Sequence, residues 1–405
     1  MTGIPRADEP RRPVLRVAVI GHAFMGSIHT LAWQAVPKIF DVGAEIEVVA
    51  VCGRDGVAAK EFADRFGIGS VETDWRELLS RIDVDVVDIC VPGRLHAEIA
   101  IAALDAGKHV LCEKPLANTL AEAETMAAVA ASASDRGVRS MVGFSYRRTP
   151  ALAYARQLIA DGRLGTIRHI RAVYLQDWIV DPEFPLVWRL VKEEAGSGAL
   201  GDLGAHHIDL TQYLTAQAIV GVSATTETFV TSRPLPLASS GLSATGSNDE
   251  TGSGDRGRVT VDDAAVAIGR TEGGALLTLE ATRFATGRKN ALRIEINGSR
   301  GSIAFDFERL NELEFADAAL PPEESGFRRI LATEPGHPYA GAWWPAGHGL
   351  GYDHLFVHQA KDFAEDIVRG NTPSPSFGDG LGVQRVLDAI ERSAQSGSRW
   401  TSVNK

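Results

Sequence analysis

The chain has 405 residues, 44% of them hydrophobic and 23% charged, and 41 Lys and Arg against 52 Asp and Glu give it a formal net charge of −11. That balance excludes a disordered or collagen-like chain and suits a globular protein of about two domains. The acidic field repels phosphate backbones and anionic lipid, and no apolar run approaches the roughly 18 residues of a membrane span, so neither nucleic acid nor a membrane is an expected partner. Three cysteines, Cys52, Cys90 and Cys112, are too few for a disulfide framework and each lies in an apolar run that reads as a buried strand. Residues 1–12 carry acids, arginines and prolines where an export signal needs an apolar stretch, so the cytoplasm is the expected location.

In chain order, short β-branched runs first alternate with helix-period segments, the pattern of βαβ units on a parallel sheet. A strand over 14–20 leads through Gly21-His22-Ala23-Phe24-Met25-Gly26 into a helix over 25–36. This is dinucleotide-fingerprint spacing: Gly21 permits the tight turn, Ala23 sits where the backbone approaches a pyrophosphate, and Gly26 lets the helix pack closely, with amides at the helix start facing the phosphates. Ala23 departs from the usual glycine by one methyl. A strand over 46–52 ends in Cys52-Gly53-Arg54-Asp55, before helices over 57–66 and 75–79. Gly53 stands where a carboxylate ordinarily binds the adenosine ribose; Arg54 suits adenine stacking or a 2′-phosphate and Asp55 suits the ribose, so NAD and NADP both stay open.

A strand over 84–91 runs into Pro92-Gly93-Arg94-Leu95-His96 and a helix over 95–106, and the strand over 109–112 ends in Glu113-Lys114-Pro115. Ligands gather beyond the carboxyl ends of such strands, which makes Pro92 and His96 candidates beside a cofactor and puts Glu113-Lys114-Pro115 in place for chemistry, with Lys114 able to polarise an alcohol oxygen. A helix over 120–134 and a strand over 139–144 close this first domain, 14–145.

From 146 the pattern changes to a helix over 151–160, a strand over 167–174, a helix over 201–214 and five apolar runs over 218–231, 259–270, 275–283, 291–298 and 301–307. Glycine-containing turns between the runs predict an antiparallel meander, and the Ser-, Gly- and Pro-rich stretch 232–258 predicts a long loop within it. Helices over 352–369 and 380–396 are expected to pack back on this second domain, 146–400, which reads as α+β. In the glycine-rich stretch 196–210, Asp202 and His206 are four apart and share a helical face, so that a carboxylate and an imidazole can act as an acid/base pair. His207 and Asp209 point elsewhere. His354 and His358 share a helical face without a third ligand, and no metal is predicted.

Together the glycine turn, Glu113-Lys114-Pro115 and Asp202-x-x-x-His206 resemble the glucose-fructose oxidoreductase/inositol dehydrogenase (Gfo/Idh/MocA) family over nearly the whole chain. The resemblance implies a doubly wound Rossmann domain followed by an α+β domain with a large, open, mainly antiparallel sheet, through which family members form homodimers or homotetramers. It also implies that Lys114 and His206 flank a substrate hydroxyl with His206 as proton acceptor, that Asp202 holds the substrate and assists, that Glu113 lies by the nicotinamide of NAD or NADP, and that Lys114–Pro115 is cis. Tyr146, Gln176 and Trp178, with Trp188-Arg189, are similar to the levoglucosan dehydrogenase group and related pyranoside 3-dehydrogenases, which implies oxidation of a ring hydroxyl of a sugar, anhydrosugar or cyclic polyol to a ketone. From the residues themselves, Trp178 offers a ring platform, and Tyr146 and Gln176 offer hydrogen bonds to hydroxyls. Inositol dehydrogenation, an NAD-dependent glycoside hydrolase and a non-catalytic sugar sensor are the alternatives on this fold. The hydrolase's Gly-Gly-His-Gly-Gly element is missing, and a sensor needs no Lys114-Asp202-His206 relay.

Overall fold

The computed structural model describes residues 12–236 and 255–403. In Val14–Ile20 (β1) the apolar run from Val17 onward is buried, because the strand lies inside a parallel sheet. Around it the chain adds α1 (Phe24–Ile39), β2 (Glu45–Cys52), α2 (Gly56–Phe66), β3 (Ser70–Glu72), α3 (Trp75–Ser80), β4 (Val86–Ile89), α4 (His96–Asp105), β5 (His109–Cys112), α5 (Leu120–Asp135) and β6 (Ser140–Val142). The six strands stand in the order β3-β2-β1-β4-β5-β6, every pair parallel. The order reverses between β1 and β4, so successive crossovers leave to opposite faces and a crevice opens beyond the carboxyl ends of the strands. Cys52, Cys90 and Cys112 are buried here and form no disulfide.

The second half contributes α6 (Pro150–Ala160), β7 (Ile167–Leu175), α7 (Lys192–Ala195), α8 (Ala205–Thr215), β8 (Ile219–Glu227), β9 (Ser232–Pro234), β10 (Arg256–Arg258), β11 (Ala264–Thr271), β12 (Leu276–Thr282), β13 (Ala291–Gly298), β14 (Gly301–Asp306), β15 (Glu312–Asp317), β16 (Arg328–Leu331), α9 (Tyr352–Arg369), α10 (Phe377–Gln395) and β17 (Thr401–Ser402). Nine of these strands make one sheet in the order β16-β15-β14-β13-β7-β12-β11-β8-β17. The expected meander holds along β8-β11-β12 and β13-β14-β15-β16. It is interrupted by β7, which lies between β12 and β13 and runs parallel to β12. Turn glycines report which strands follow one another, whereas the crossing of the chain over β7 after Thr282 depends on contacts far apart in sequence. The predicted loop 232–258 is framed by the antiparallel pair β9 and β10, and residues 237–254 of it lie outside the described residues.

The two C-terminal helices do not return to the second domain alone, as their sequence suggested. Helix α9 packs on α1, with Phe356 5.3 Å from His29 and Phe363 6.5 Å from Trp33 between ring centres, while α10 lies between α5 and β8. An apolar stripe such as Leu355, Phe356 and Phe363 needs a partner but does not name one. Beneath this junction Arg147, which follows β6, donates from Nε at 2.8 Å to Asp209 of α8, and both side chains are buried. Asp209 is thus an anchor between segments. No helix among the described residues is long and apolar enough to cross a membrane. Arg147→Ala, which leaves the Asp209 carboxylate buried without its partner, is expected to lower stability by about 3–5 kcal/mol, read as a fall in the denaturant midpoint.

Candidate active site

Lys114 stands just beyond β5, where the crevice opens, and its peptide bond to Pro115 is cis. Its Nζ donates to the Asp202 carbonyl at 3.0 Å and to Asp202 Oδ1 at 3.4 Å. Asp202 lies in a single π turn, Leu200–Gly204, that opens α8. The start of that turn is fixed by Asp262, which accepts from Gly198 N at 2.7 Å and Leu200 N at 2.8 Å. Asp202 and His206 line the same cleft, but no hydrogen bond among the described residues joins them. The Asp202 carboxylate meets cations instead: Arg189 Nε at 3.7 Å and Arg283 Nη1 at 4.0 Å, besides Lys114. Burial alone would raise its pKa, but these three charges hold it well below the usual carboxylate range.

His206 is buried and stacks on the Tyr146 ring with centres 4.1 Å apart and planes at 13°. Its Nδ1 has no hydrogen-bond partner. Burial first, and then the Lys114 ammonium, pushes its pKa well below the ordinary imidazole value, against the opposing pull of Asp202. A network of hydroxyls and amides continues from Tyr146: its hydroxyl lies 2.8 Å from that of Tyr174, which donates to Asn290 Oδ1 at 2.6 Å, and Gln176 Nε2 donates to the same oxygen at 2.8 Å. Trp178 stands edge-on to Phe184, and the Arg283 guanidinium lies 5.5 Å from its ring centre.

These side chains line one cleft of about 530 Å³, which gathers Lys114, Asp202, His206, Tyr146, Gln176 and Trp178 with Glu113, Arg189, Asn290 and Tyr352. A smaller hollow of about 70 Å³ adjoins it and shares Met25, Glu113, Lys114, Arg189 and Asp202 while reaching Val91, His96 and Trp188. The glycine turn opens here. Gly21 has φ +111°, a Cβ on it would lie 2.4 Å from the Cys90 carbonyl, and a Cβ on Gly26 would lie 2.0 Å from the Gly21 carbonyl. Helix α1 begins at Ala23 without any side-chain cap, so its first amides are left for an outside acceptor. An uncapped helix start above a tight strand-to-helix turn fits a dinucleotide pyrophosphate.

The remaining residues expected at a cofactor differ in exposure and in their partners. Phe24 is 53% exposed at the cleft mouth, and Pro92 precedes a single turn, Gly93–Leu95. His96 is buried with Nδ1 2.9 Å from the Pro115 carbonyl and Nε2 2.9 Å from that of Val91, so both of its nitrogens face the backbone. Arg54 is exposed, and Asp55 caps α2 by accepting from Val57 N and Ala58 N. His354 contacts Asp353, and His358 bridges the Arg148 carbonyl and Trp343 Nε1. Sequence reasoning missed Arg283, Asn290 and Tyr352. Only Arg283 carried a signal, as a lone cation closing an apolar strand run.

Residues 15–144 match the family described as oxidoreductases with an NAD-binding Rossmann fold, and residues 152–304 match the GFO/IDH/MocA C-terminal domain. A levoglucosan dehydrogenase of Pseudarthrobacter phenanthrenivorans is 43% identical over 96% of this chain and 98% of its own length. The chain belongs to the Gfo/Idh/MocA oxidoreductase family. Among solved structures, an oxidoreductase domain protein from Kribbella flavida superimposes with a TM-score of 0.91 at 57% identity, covering 97% of this chain and 100% of that one. A levoglucosan dehydrogenase in complex with NADH and levoglucosan superimposes with a TM-score of 0.88 at 41% identity, again over 97% and 100%. As a Gfo/Idh/MocA member the protein is an oxidoreductase whose first domain is of the NAD-binding type, with the mainly antiparallel second sheet the family implied.

The depressed pKa of Asp202 has a pH signature. Its unfolded value is about 3.9, so its contribution to stability is complete above about pH 4 and is lost as pH falls towards the lower folded value. Asp202→Asn is expected to be the less stable protein at neutral pH, where the cations lose their counter-charge, yet to lose less than the parent on acidification through that range. Denaturant midpoints measured on both sides of it check the sign.

Proposed function

We propose that the protein is an NAD(P)-dependent dehydrogenase that oxidises a ring hydroxyl of a neutral sugar, anhydrosugar or cyclic polyol to a ketone. The observation that carries this reading is the convergence of Lys114 and His206 on one cleft beside the uncapped start of α1. His206 is neutral at physiological pH because burial and Lys114 disfavour its charged form, so it can accept the hydroxyl proton. The Lys114 ammonium stabilises the charge that develops on the same oxygen, and Asp202 keeps that ammonium in place. Bound NAD(P), held by Gly21, Ala23, Met25 and Gly26, supplies the hydride acceptor. Gln176 and Asn290 offer amides to neighbouring hydroxyls, and Trp178 offers a flat apolar face to the C–H side of a ring. The similarity to a levoglucosan dehydrogenase supports an anhydrosugar among the substrates.

Absorbance at the reduced-nicotinamide band, followed with a panel of pyranosides, anhydrosugars and inositols, tests the reaction. Lys114→Met and His206→Gln are each expected to lower kcat by about 10²–10⁴-fold while dinucleotide binding persists. Near-parental rates in both would sink the assigned chemistry.

The tip of β2 supports use of NADP beside NAD. Gly53 leaves no carboxylate at the ribose position, Asp55 is committed to capping α2, and Arg54 is exposed next to both. Arg54→Ala is expected to lower kcat/KM for NADP by about tenfold, the worth of one charge-assisted hydrogen bond, and to leave the NAD value unchanged. Steady-state kinetics with each dinucleotide decides this.

The uncovered face of the nine-stranded sheet, where Val266, Ile268 and Leu276 are exposed, supports a homodimer or homotetramer. Three buried, unbridged cysteines suit the reducing cytoplasm.

A further inference from the structure

Behind the cleft lies a second cluster of titratable groups, which shares Glu113 with the cleft lining. His29 of α1 is 2% exposed, Asp88 of β4 is 0% and Glu113 beyond β5 is 5%. His29 Nδ1 lies 2.9 Å from both Asp88 oxygens, and its Nε2 lies 3.1 Å from Glu113 Oε1. Asp88 also accepts from Trp33 Nε1 at 2.8 Å and from Cys90 Sγ at 3.5 Å.

A neutral imidazole donates from one nitrogen only, so two nitrogens that both face carboxylate oxygens require a second proton in the array. That proton sits on the ring or on Glu113, and the adjacent Asp88 charge, which raises the His29 pKa, favours the ring. Glu113 is held in turn: its Oε2 accepts the backbone N–H of Lys114 at 3.3 Å, and a Cβ on Gly143 would lie 2.5 Å from Oε1. The carboxylate is closed in on those sides and faces the cleft on another. Helix α9 covers the array with Phe356, 5.3 Å from the His29 ring, and with Tyr352, the titratable group on that side.

We propose that His29 and Asp88 are positioning residues of the reaction centre, a buried carboxylate–imidazolium–carboxylate array that holds the Glu113 carboxylate and, through it, the backbone of Lys114. This rests on the dehydrogenase reading, since that reading places Lys114 in the chemistry. Burial alone would discharge His29, but the neighbouring Asp88 charge raises its pKa well above the ordinary value. The stabilisation is therefore complete below the unfolded value of about 6.5 and is lost only as pH rises through the higher folded value, so the array stays intact across the neutral range.

His29→Gln and Asp88→Asn in the full chain, assayed with a sugar that the parent oxidises, are the test. Each is expected to lose about tenfold or more in kcat, the cost of a small misplacement at the reacting centre, while dinucleotide affinity read by fluorescence quenching changes less than about threefold. Proton NMR of the parent with isotope-labelled histidine is expected to show two far-downfield ring N–H signals from His29 at neutral pH, both missing in His29→Gln. Parental kcat in a folded His29→Gln protein, or a single ring N–H on His29 at neutral pH, overturns the proposal. If neither variant folds, the parent's spectrum still decides. A parent that oxidises no sugar defeats the dehydrogenase reading instead, and the spectrum then judges the array by itself.

Discussion

Cations from three separate segments converge on the carboxylate of Asp202: Lys114 beyond β5, Arg189 ahead of α7 and Arg283 at the end of β12. Arg283 has no exposed side-chain surface, and a guanidinium so placed is tolerable only with an anion and hydrogen bonds around it. It finds the anion in Asp202 and an acceptor in the Asp262 carbonyl at 3.1 Å, while the Asp262 carboxylate fixes the turn that carries Asp202. One charge thus ties the carboxyl edge of the first sheet to the second sheet and to the start of α8. The cleft chemistry and the docking of the two halves share that interaction, so neither can change without disturbing the other.

What could be read ahead of the structure follows from how local each signal is. The strand-turn-helix at Gly21 and the lysine at the end of β5 are defined within a few residues, and their placement beyond a parallel strand follows from fold grammar alone. Asp202 and His206 were legible as a pair on one helical face, but the π turn that carries Asp202 was not, because winding over 200–204 answers to Asp262, far along the chain. The same limit hid the array behind Glu113, whose contacts join residues 59 and 84 positions apart. His29 reads in sequence as one polar residue on an apolar helix, and Asp88 as one acid in an apolar strand. Tyr146 was legible as a cleft residue but not as the stacking partner of His206. Likewise β7, an ordinary alternating strand in isolation, takes the centre of the sheet only through partners that come more than a hundred residues later.

The array also accounts for the placement of α9. Two carboxylates and an imidazole inside the first core carry a large desolvation cost, which mutual hydrogen bonds offset only while water stays out. Trp33 covers one side and Phe356 of α9 another. The C-terminal helix therefore belongs on α1, and its aromatic stripe serves as the wall of a polar cluster as well as an apolar contact. Burial of this kind gives geometry more than stability, consistent with its position directly behind residues that line the cleft.

The hydrogen-bonding surface of the cleft also bears on the proposed substrate class. Lys114, Arg189 and Arg283 are gathered around Asp202, Lys289 pairs with Asp177 at 2.8 Å, and Glu113 faces His29. Lys114, Arg189 and Arg283 share the single carboxylate of Asp202, which holds them in place without balancing them one for one. The remaining surface consists of hydroxyls and amides on Tyr146, Tyr174, Gln176 and Asn290 opposite the indole of Trp178. Such a surface returns hydrogen bonds to a molecule rich in hydroxyls on its edges and apolar C–H groups on its faces. A ring with several hydroxyls meets both demands, as the proposed reaction at Lys114 and His206 requires.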